Sequence, residues 1–226
     1  MEVEYPSHGE ISLAHYGVLF LDEIPEFRRD VLELLREPLE DGKVTISRIN
    51  STITYPSKMM LIASMNPCPC GYYGSKDKKC NCTNEQISKY MNRISGPLLD
   101  RIDIHIEVQS IKYDELSQER PSESSEEIKK RVDKARRIQL ERYKNDGIHC
   151  NSELSSELIR KYCKLDDESK ELLKTAFEKL GFSARAHDRV LKLARTIADL
   201  DDSKEIEKKH LAEAIQYRNL DRKYWR

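Results

Sequence analysis

The residues with the clearest capacity for chemistry are Asp22 and Glu23, adjacent carboxylates that follow Val18-Leu19-Phe20-Leu21 and precede Ile24-Pro25-Glu26-Phe27. A short continuous apolar run bounded by a turn signal reads as a fully buried strand, most often in a parallel sheet. The two carboxylates then stand at the carboxyl end of that strand, where open α/β sheets bind their ligands. One carboxylate in such a place can hold Mg²⁺, usually through water, because hard cations take oxygen ligands. The other can orient and deprotonate an attacking water. The plainer alternative is a strand that ends in surface acids.

A second group is Cys68-Pro-Cys70 and Cys80-Asn-Cys82. Four thiolates in two close pairs can close a tetrahedral Zn²⁺ site, and such a site is structural because no coordination position stays open. The usual pairing is C-x-x-C, and C-x-C is tighter. The loop between the pairs holds Gly71, Gly74 and lysines and is too polar to pack without a staple. Structural zinc at Cys68, Cys70, Cys80 and Cys82 is the expectation, against free or oxidised thiols. A Cys68–Cys70 disulfide would close a strained loop. Cys150 and Cys163 are isolated and read as small buried hydrophobes, and the six histidines show no metal spacing.

Composition narrows the setting. The 226 residues suffice for one large domain or two small ones, and 35% charged against 38% hydrophobic residues gives a surface-rich globular protein with a modest core. A net charge of −1 carries no global signal for nucleic acid or a membrane surface, so such contacts must be local. No apolar run approaches membrane-spanning length, and the acidic, polar start Met1-Glu2-Val3-Glu4 has no signal-peptide pattern. A cytoplasmic setting, with reduced cysteines and no membrane partner, is the expectation.

Several elements must position these groups. Residues 28–40 carry apolar Val31, Leu32, Leu34, Leu35 and Leu39 at helical spacing, with Pro38 as a late kink or end and Gly42 as a left-handed cap. Val44–Arg48 and Thr52–Tyr55 alternate around Ile49-Asn50-Ser51 and predict a β-hairpin, either solvated or in contact with a substrate. Met59–Met65 predicts a second buried strand, ending at Asn66-Pro67. Thr83 or Asn84 can cap a helix through Ile94, and Ile102–Val108 alternates like a strand. A polar linker spans 117–125. Ser124 with Glu127 makes a capping box that opens a long charged helix to Tyr143, with a thin stripe of Ile128, Val132, Ala135 and Ile138 or Leu140. Helices at 152–163, 167–180, 183–200 and 207–219 complete an all-helical second half.

These motifs together resemble the magnesium-chelatase-like AAA+ ATPase family, in its ComM and YifB branch. Val18 to Glu23 resembles a Walker B strand, and Ser64-Met65-Asn66-Pro67 a sensor-1 strand end. Gly96-Pro-Leu-Leu-Asp-Arg101-Ile-Asp103 resembles an arginine-finger segment, and Ser183-Ala-Arg185 a sensor-2 segment. Gly9 to His15, Arg36 to Glu40 and Ala194 to Asp199 resemble the branch almost word for word. The implied fold is α/β: part of a P-loop NTPase core over residues 1–116, with a parallel sheet and a pre-sensor-1 hairpin at 43–55, then an all-α lid over 117–226. The implied cofactors are ATP and Mg²⁺. By resemblance Asp22 holds Mg²⁺ and Glu23 is the base for water attack. Asn66 positions that water, Arg101 serves a neighbouring subunit's ATP, and Arg185 contacts phosphate. The implied assembly is a homo-oligomeric ring, a hexamer, acting on DNA.

The 226 residues contain no G-x-x-x-x-G-K-[ST] phosphate loop, whose backbone N–H groups and lysine cradle nucleotide phosphates. The expectation is therefore that this is the downstream part of a longer ATPase. Two rival readings remain: a motor subunit of a magnesium chelatase, and a non-hydrolysing interaction module built on the lid and the cysteine knuckle.

Overall fold

A computed structural model describes residues 9–48, 51–75, 78–109 and 123–218. The Ile49-Asn50 hairpin tip, most of the 117–125 linker and the end of the last expected helix lie outside these residues. The described residues group into two compact units, one up to Ile102 and one from Asp103 onward. Among them no helix is long and apolar enough to cross a membrane. The whole is mixed α/β: a small parallel sheet with helices, then a helical unit, consistent with a partial AAA+ core and a helical C-terminal domain.

In the first unit, α1 (Glu10–Leu13) leads into β1 (Val18–Leu21). The apolar stretch after Phe27 forms two short helices, α2 (Arg29–Leu34) and α3 (Arg36–Asp41), where one was expected. Pro38 supplies no N–H to the Leu34 carbonyl, so the ladder breaks just before it. Gly42 then ends α3 at φ +64°. The hairpin β2 (Lys43–Arg48) and β3 (Ser51–Pro56) pairs antiparallel, Val44 opposite Tyr55. The chain returns as β4 (Met60–Ala63), parallel to β1 with Val18 opposite Met60 and Leu21 opposite Ala63.

Neither strand is fully buried, contrary to expectation. Leu19 and Leu21 pack on a core of Ile24, Leu32, Leu35, Ile94, Leu98 and Leu99. The opposite face stays open, with Val18 55% and Phe20 59% exposed beside Met60 and Ile62. An apolar run marks a strand with two faces to cover, and these residues cover one. After β4 come the cysteine loop, α4 (Asn84–Met91, with a Thr83–Gln86 capping box) and α5 (Gly96–Leu99, capped by Ser95).

Ile102–Val108 forms no strand, although it alternates like one. It finds no strand partner among the described residues, and Ile106 and Val108 are exposed. The segment instead joins the helical unit through His105 N–H to the Tyr217 carbonyl at 2.9 Å and an Asp103–Arg189 ion pair.

The second unit holds α6 (Ser125–Tyr143), α7 (Ser156–Tyr162), α8 (Asp167–Leu180), α9 (Ala184–Leu200) and α10 (Lys208–Gln216). The Ser124–Glu127 capping box opens α6. The expected α6 stripe packs only near its end: Ala135, Gln139 and Tyr143 are buried, whereas Ile128, Val132 and Leu140 are exposed. The expected helix at 152–163 is split: a 3-10 turn at Asn151–Glu153 ends at Leu154, and Ser155 caps the start of α7. The core centres on Val190, Leu191, Ala194 and Ala198 of α9 with Leu211 and Ala214 of α10.

Candidate functional site

Pairing β1 with β4 brings their carboxyl ends together. The Ser64 N–H donates to the Leu21 carbonyl at 2.9 Å, and the Ile24 N–H donates to the Ser64 carbonyl at 3.0 Å. The Ser64 hydroxyl donates to Asp22 Oδ1, which also accepts the Glu23 N–H at 3.0 Å. Asp22 is thus oriented through one oxygen. Glu23 is exposed, and its carboxylate takes no hydrogen bond from any described residue. Its backbone is left-handed, φ +49°, as the chain leaves β1 for a 3-10 turn at Ile24–Glu26. For a residue other than glycine that conformation costs on the order of 1–3 kcal/mol and persists only where its surroundings impose it. The turn is pinned from just beyond α4: Arg93 Nη1 donates to the Pro25 carbonyl at 2.9 Å and to Glu26 Oε2 at 3.0 Å. Two hard-oxygen donors in an exposed position, one of them oriented, suit a hydrated Mg²⁺ better than a soft metal.

Asn66 lies two residues beyond Ser64 and is exposed. Near its backbone is a residue that the sequence motifs do not single out. Tyr90 of α4 is buried, and its phenol oxygen lies near the Asn66 backbone N–H. Burial raises the Tyr90 pKa, the Asn66 N–H works against that rise, and the charges of Glu26 and Glu23 add to it. A polar tip on an otherwise apolar helix stripe was the available signal.

The cysteine knuckle begins two residues after Asn66. Sulfur separations are 3.4 Å for Cys68–Cys70, 3.7 Å for Cys68–Cys80 and 3.5 Å for Cys70–Cys80, and with Cys82 all four sulfurs lie within 4.8 Å of one another. A tetrahedral Zn–S length of about 2.3 Å sets sulfurs about 3.8 Å apart, so the donor set fits zinc. The backbone N–H of Tyr72, then that of Asn81, holds the Cys70 thiol down at about 6. Desolvation and the neighbouring sulfurs push Cys82 up to about 12. Gly71 and Gly74, at φ +79° and +80°, make the turns that bring the pairs together.

Arg101 is not among the partners of Asp22 or Glu23. Its guanidinium is buried against the Pro97 carbonyl and the carboxylate of Glu40. Arg185 is exposed on the first turn of α9, behind the Ser183 cap, and belongs to the second unit. The larger of the two leading clefts in the structure, about 690 Å³ and lined by Arg160, Lys164, Leu173, Lys174, Phe177 and His187 among others, lies wholly in the helical unit and holds none of these residues. Cys163 lines it, and burial pushes its thiol up to about 11, as suits an inert core group. Cys150 is only partly buried, its sulfur 3.0 Å from the Ser152 hydroxyl.

The family model for magnesium chelatase, subunit ChlI, matches residues 3–116, and that for the ChlI C-terminal region matches residues 122–218. The chain belongs to the magnesium-chelatase-like family. Within it, the uncharacterized protein YifB of Escherichia coli K12 is 47% identical over 218 residues, covering 96% of this chain and 42% of YifB. Competence protein ComM of Haemophilus influenzae is 45% identical over 218 residues, again 96% of this chain and 42% of ComM. An uncharacterized protein of Mycobacterium bovis is 35% identical over 192 residues, 85% of this chain and 38% of that protein. The chain therefore spans less than half the length of these relatives. Membership makes it an AAA+ ATPase-like protein of the ComM and YifB kind.

Proposed function

We propose that these residues form the downstream part of a ring-forming ATPase, a hexamer working in the cytoplasm, that couples ATP hydrolysis to moving or remodelling DNA. The observation that carries the reading is the junction of β1 and β4. Asp22 and Glu23 stand there with Ser64 bonded to Asp22 and Asn66 two residues further along the chain, one carboxylate oriented and the other open to water. Residues 1–116 act as the core and 117–226 as the lid. Asp22 holds Mg²⁺ and Glu23 takes the proton of the attacking water, which Asn66 positions. Arg101 and Arg185 supply cationic charge to phosphate, Arg101 across a subunit boundary. The phosphate loop comes from outside the 226 residues. The DNA assignment draws on resemblance and on the relative named a competence protein. A chelatase motor is the second reading, favoured by the description of both family models. Turnover measured with and without DNA, on protein that includes a phosphate loop, separates the two. DNA stimulation is expected, and indifference to DNA would favour the chelatase.

Without that loop Asp22 and Glu23 have no positioned substrate. The 226-residue chain should bind ATP more weakly than micromolar and hydrolyse it no faster than buffer. Calorimetric titration with ATP and Mg²⁺ checks this, and a micromolar Kd would contradict it.

Zinc in the knuckle is structural in this reading. Protein purified without chelator should carry one Zn²⁺ per chain by metal analysis, and Cys80→Ser should lose it. Full metal retention in that variant, or folded protein with four free thiols and no metal, would count against the site.

A further inference from the structure

The Arg101 side chain is 7% exposed, against 38% for its partner Glu40. Arg101 Nη1 donates to the Pro97 carbonyl at 2.6 Å, and Nη2 donates to Glu40 Oε2. The pair lies at a cleft of about 350 Å³ that Glu33, Leu34, Glu37 and Asp41 also line. A guanidinium enclosed in this way cannot touch a second molecule until it turns away from the Glu40 carboxylate. Charge-assisted pairs of this kind are the strong ones, and arginine's planar fork can satisfy a carboxylate or a phosphate in the same manner.

Glu40 also stands at a mechanical joint. Asp41 ends α3, Gly42 turns at φ +64°, and Lys43 opens the hairpin. The far root of the hairpin closes on the same glycine, through the Ser57 N–H to the Gly42 carbonyl at 2.8 Å. A Cβ at Gly42 would stand 3.0 Å from Lys58 Cγ, and its φ of +64° strains any other residue there. Glu40 thus stands three residues before Lys43, the first residue of β2.

We propose that Glu40 is the positioning residue for Arg101. It holds the guanidinium inside its own subunit and must release it before Arg101 can meet phosphate charge on a neighbour. Release frees the hairpin root in the same step, so engagement of the finger and movement of the hairpin are coupled. This inference rests on the reading of Arg101 as an arginine finger. Glu40 and the neighbour's phosphoryl group compete for one guanidinium, and weakening Glu40 shifts that competition toward the phosphate.

The test is steady-state ATP turnover by the whole protein, phosphate loop included, without DNA. The proteins compared are wild type, Glu40→Gln, Arg101→Ala and the double variant. Glu40→Gln is expected to raise kcat several-fold with KM for ATP unchanged, and the double variant should lose that gain. Glu40→Asp, whose carboxylate is withdrawn by one methylene, should show a smaller part of the gain and serves where the glutamine variant folds poorly. A purely structural ion pair would instead lower both kcat and Tm in Glu40→Gln and Arg101→Ala alike. If Arg101→Ala keeps normal turnover, the finger reading itself fails and the inference fails with it. If Arg101→Ala is inactive while neither Glu40 variant exceeds wild-type kcat, the finger stands and the role given to Glu40 is overturned.

Discussion

Rings assembled from a mixture of Glu23→Gln and Arg101→Ala subunits should hydrolyse ATP, whereas rings made of either variant alone should not. Glu23 sits at the end of β1 with its carboxylate open to water. Its conversion to glutamine leaves nucleotide contacts in place and removes only the base. Arg101 lies just after α5, tied to Glu40 at the end of α3, and in the proposed function its charge serves the adjacent subunit. An arginine finger is worth about 10³–10⁵ in rate in other nucleotide hydrolases, so Arg101→Ala should bind ATP at its own site and barely turn it over. In a mixed ring, some interfaces join an intact Glu23 to a neighbour's intact Arg101. Those interfaces are complete although every subunit carries a defect, and recovered turnover should follow their share as the mixing ratio is varied. Near-normal turnover of Arg101→Ala in assembled rings would sink the assignment, leaving the Glu40–Arg101 pair as a purely structural link.

The sequence is most legible where a few neighbouring residues decide the structure. The Thr83 and Ser124 caps, the Gly42 turn and the antiparallel hairpin follow from local chemistry and appear where that chemistry puts them. The cysteine cluster is legible for a related reason, since C-x-C pairs hold their sulfurs close whatever the rest of the chain does. Burial of β1 and β4 was less legible. An apolar run looks the same whether one face or two are covered, and here Val18 and Phe20 stay exposed. Ile102–Val108 shows a further limit, because alternation describes one strand and a strand needs a partner to exist.

Around the candidate site, what sequence reasoning missed consists of contacts between residues far apart in the chain. Arg101 reads by resemblance as a finger, and the carboxylates nearest to it along the chain are Asp100 and Asp103. The carboxylate that meets it is Glu40, 61 positions away, while Asp103 pairs with Arg189. Tyr90 reads as one more apolar position in α4, yet its hydroxyl lies near the backbone of Asn66. Resemblance brought forward the residues that would touch nucleotide. It was silent on those that hold them in place, because holding contacts are made across the fold rather than along a motif.

Replacing Asp199 by alanine should be among the most destabilising single changes in the helical unit. Asp199 is fully buried near the end of α9. It accepts from both Nη atoms of Arg142, from Arg195 Nε at 3.2 Å and from Asn151 Nδ2 at 2.9 Å. Arg195 further donates to the carbonyls of Ser203 at 2.7 Å and Lys204 at 3.0 Å, fixing the turn after α9. Asn151 accepts from the Tyr143 hydroxyl at 2.6 Å, so the network joins the end of α6, the Asn151 turn and α9. Without the carboxylate, two guanidiniums are left side by side with no counter-charge, and removing one partner from a buried ion pair typically costs about 3–5 kcal/mol. In a unit of this size that is an apparent Tm lower by roughly 10–20 °C, read from the helical signal at 222 nm. Asp199→Asn keeps part of the hydrogen bonding but not the charge, and should fall between wild type and alanine. If Asp199→Ala instead melts within a few degrees of wild type, water reaches the two arginines and the network is less sealed than its geometry indicates. The consequence for function runs along the helix. α9 carries Arg185 on its first turn and Asp199 near its last, so a helix loosened at one end presents its proposed phosphate contact less rigidly at the other.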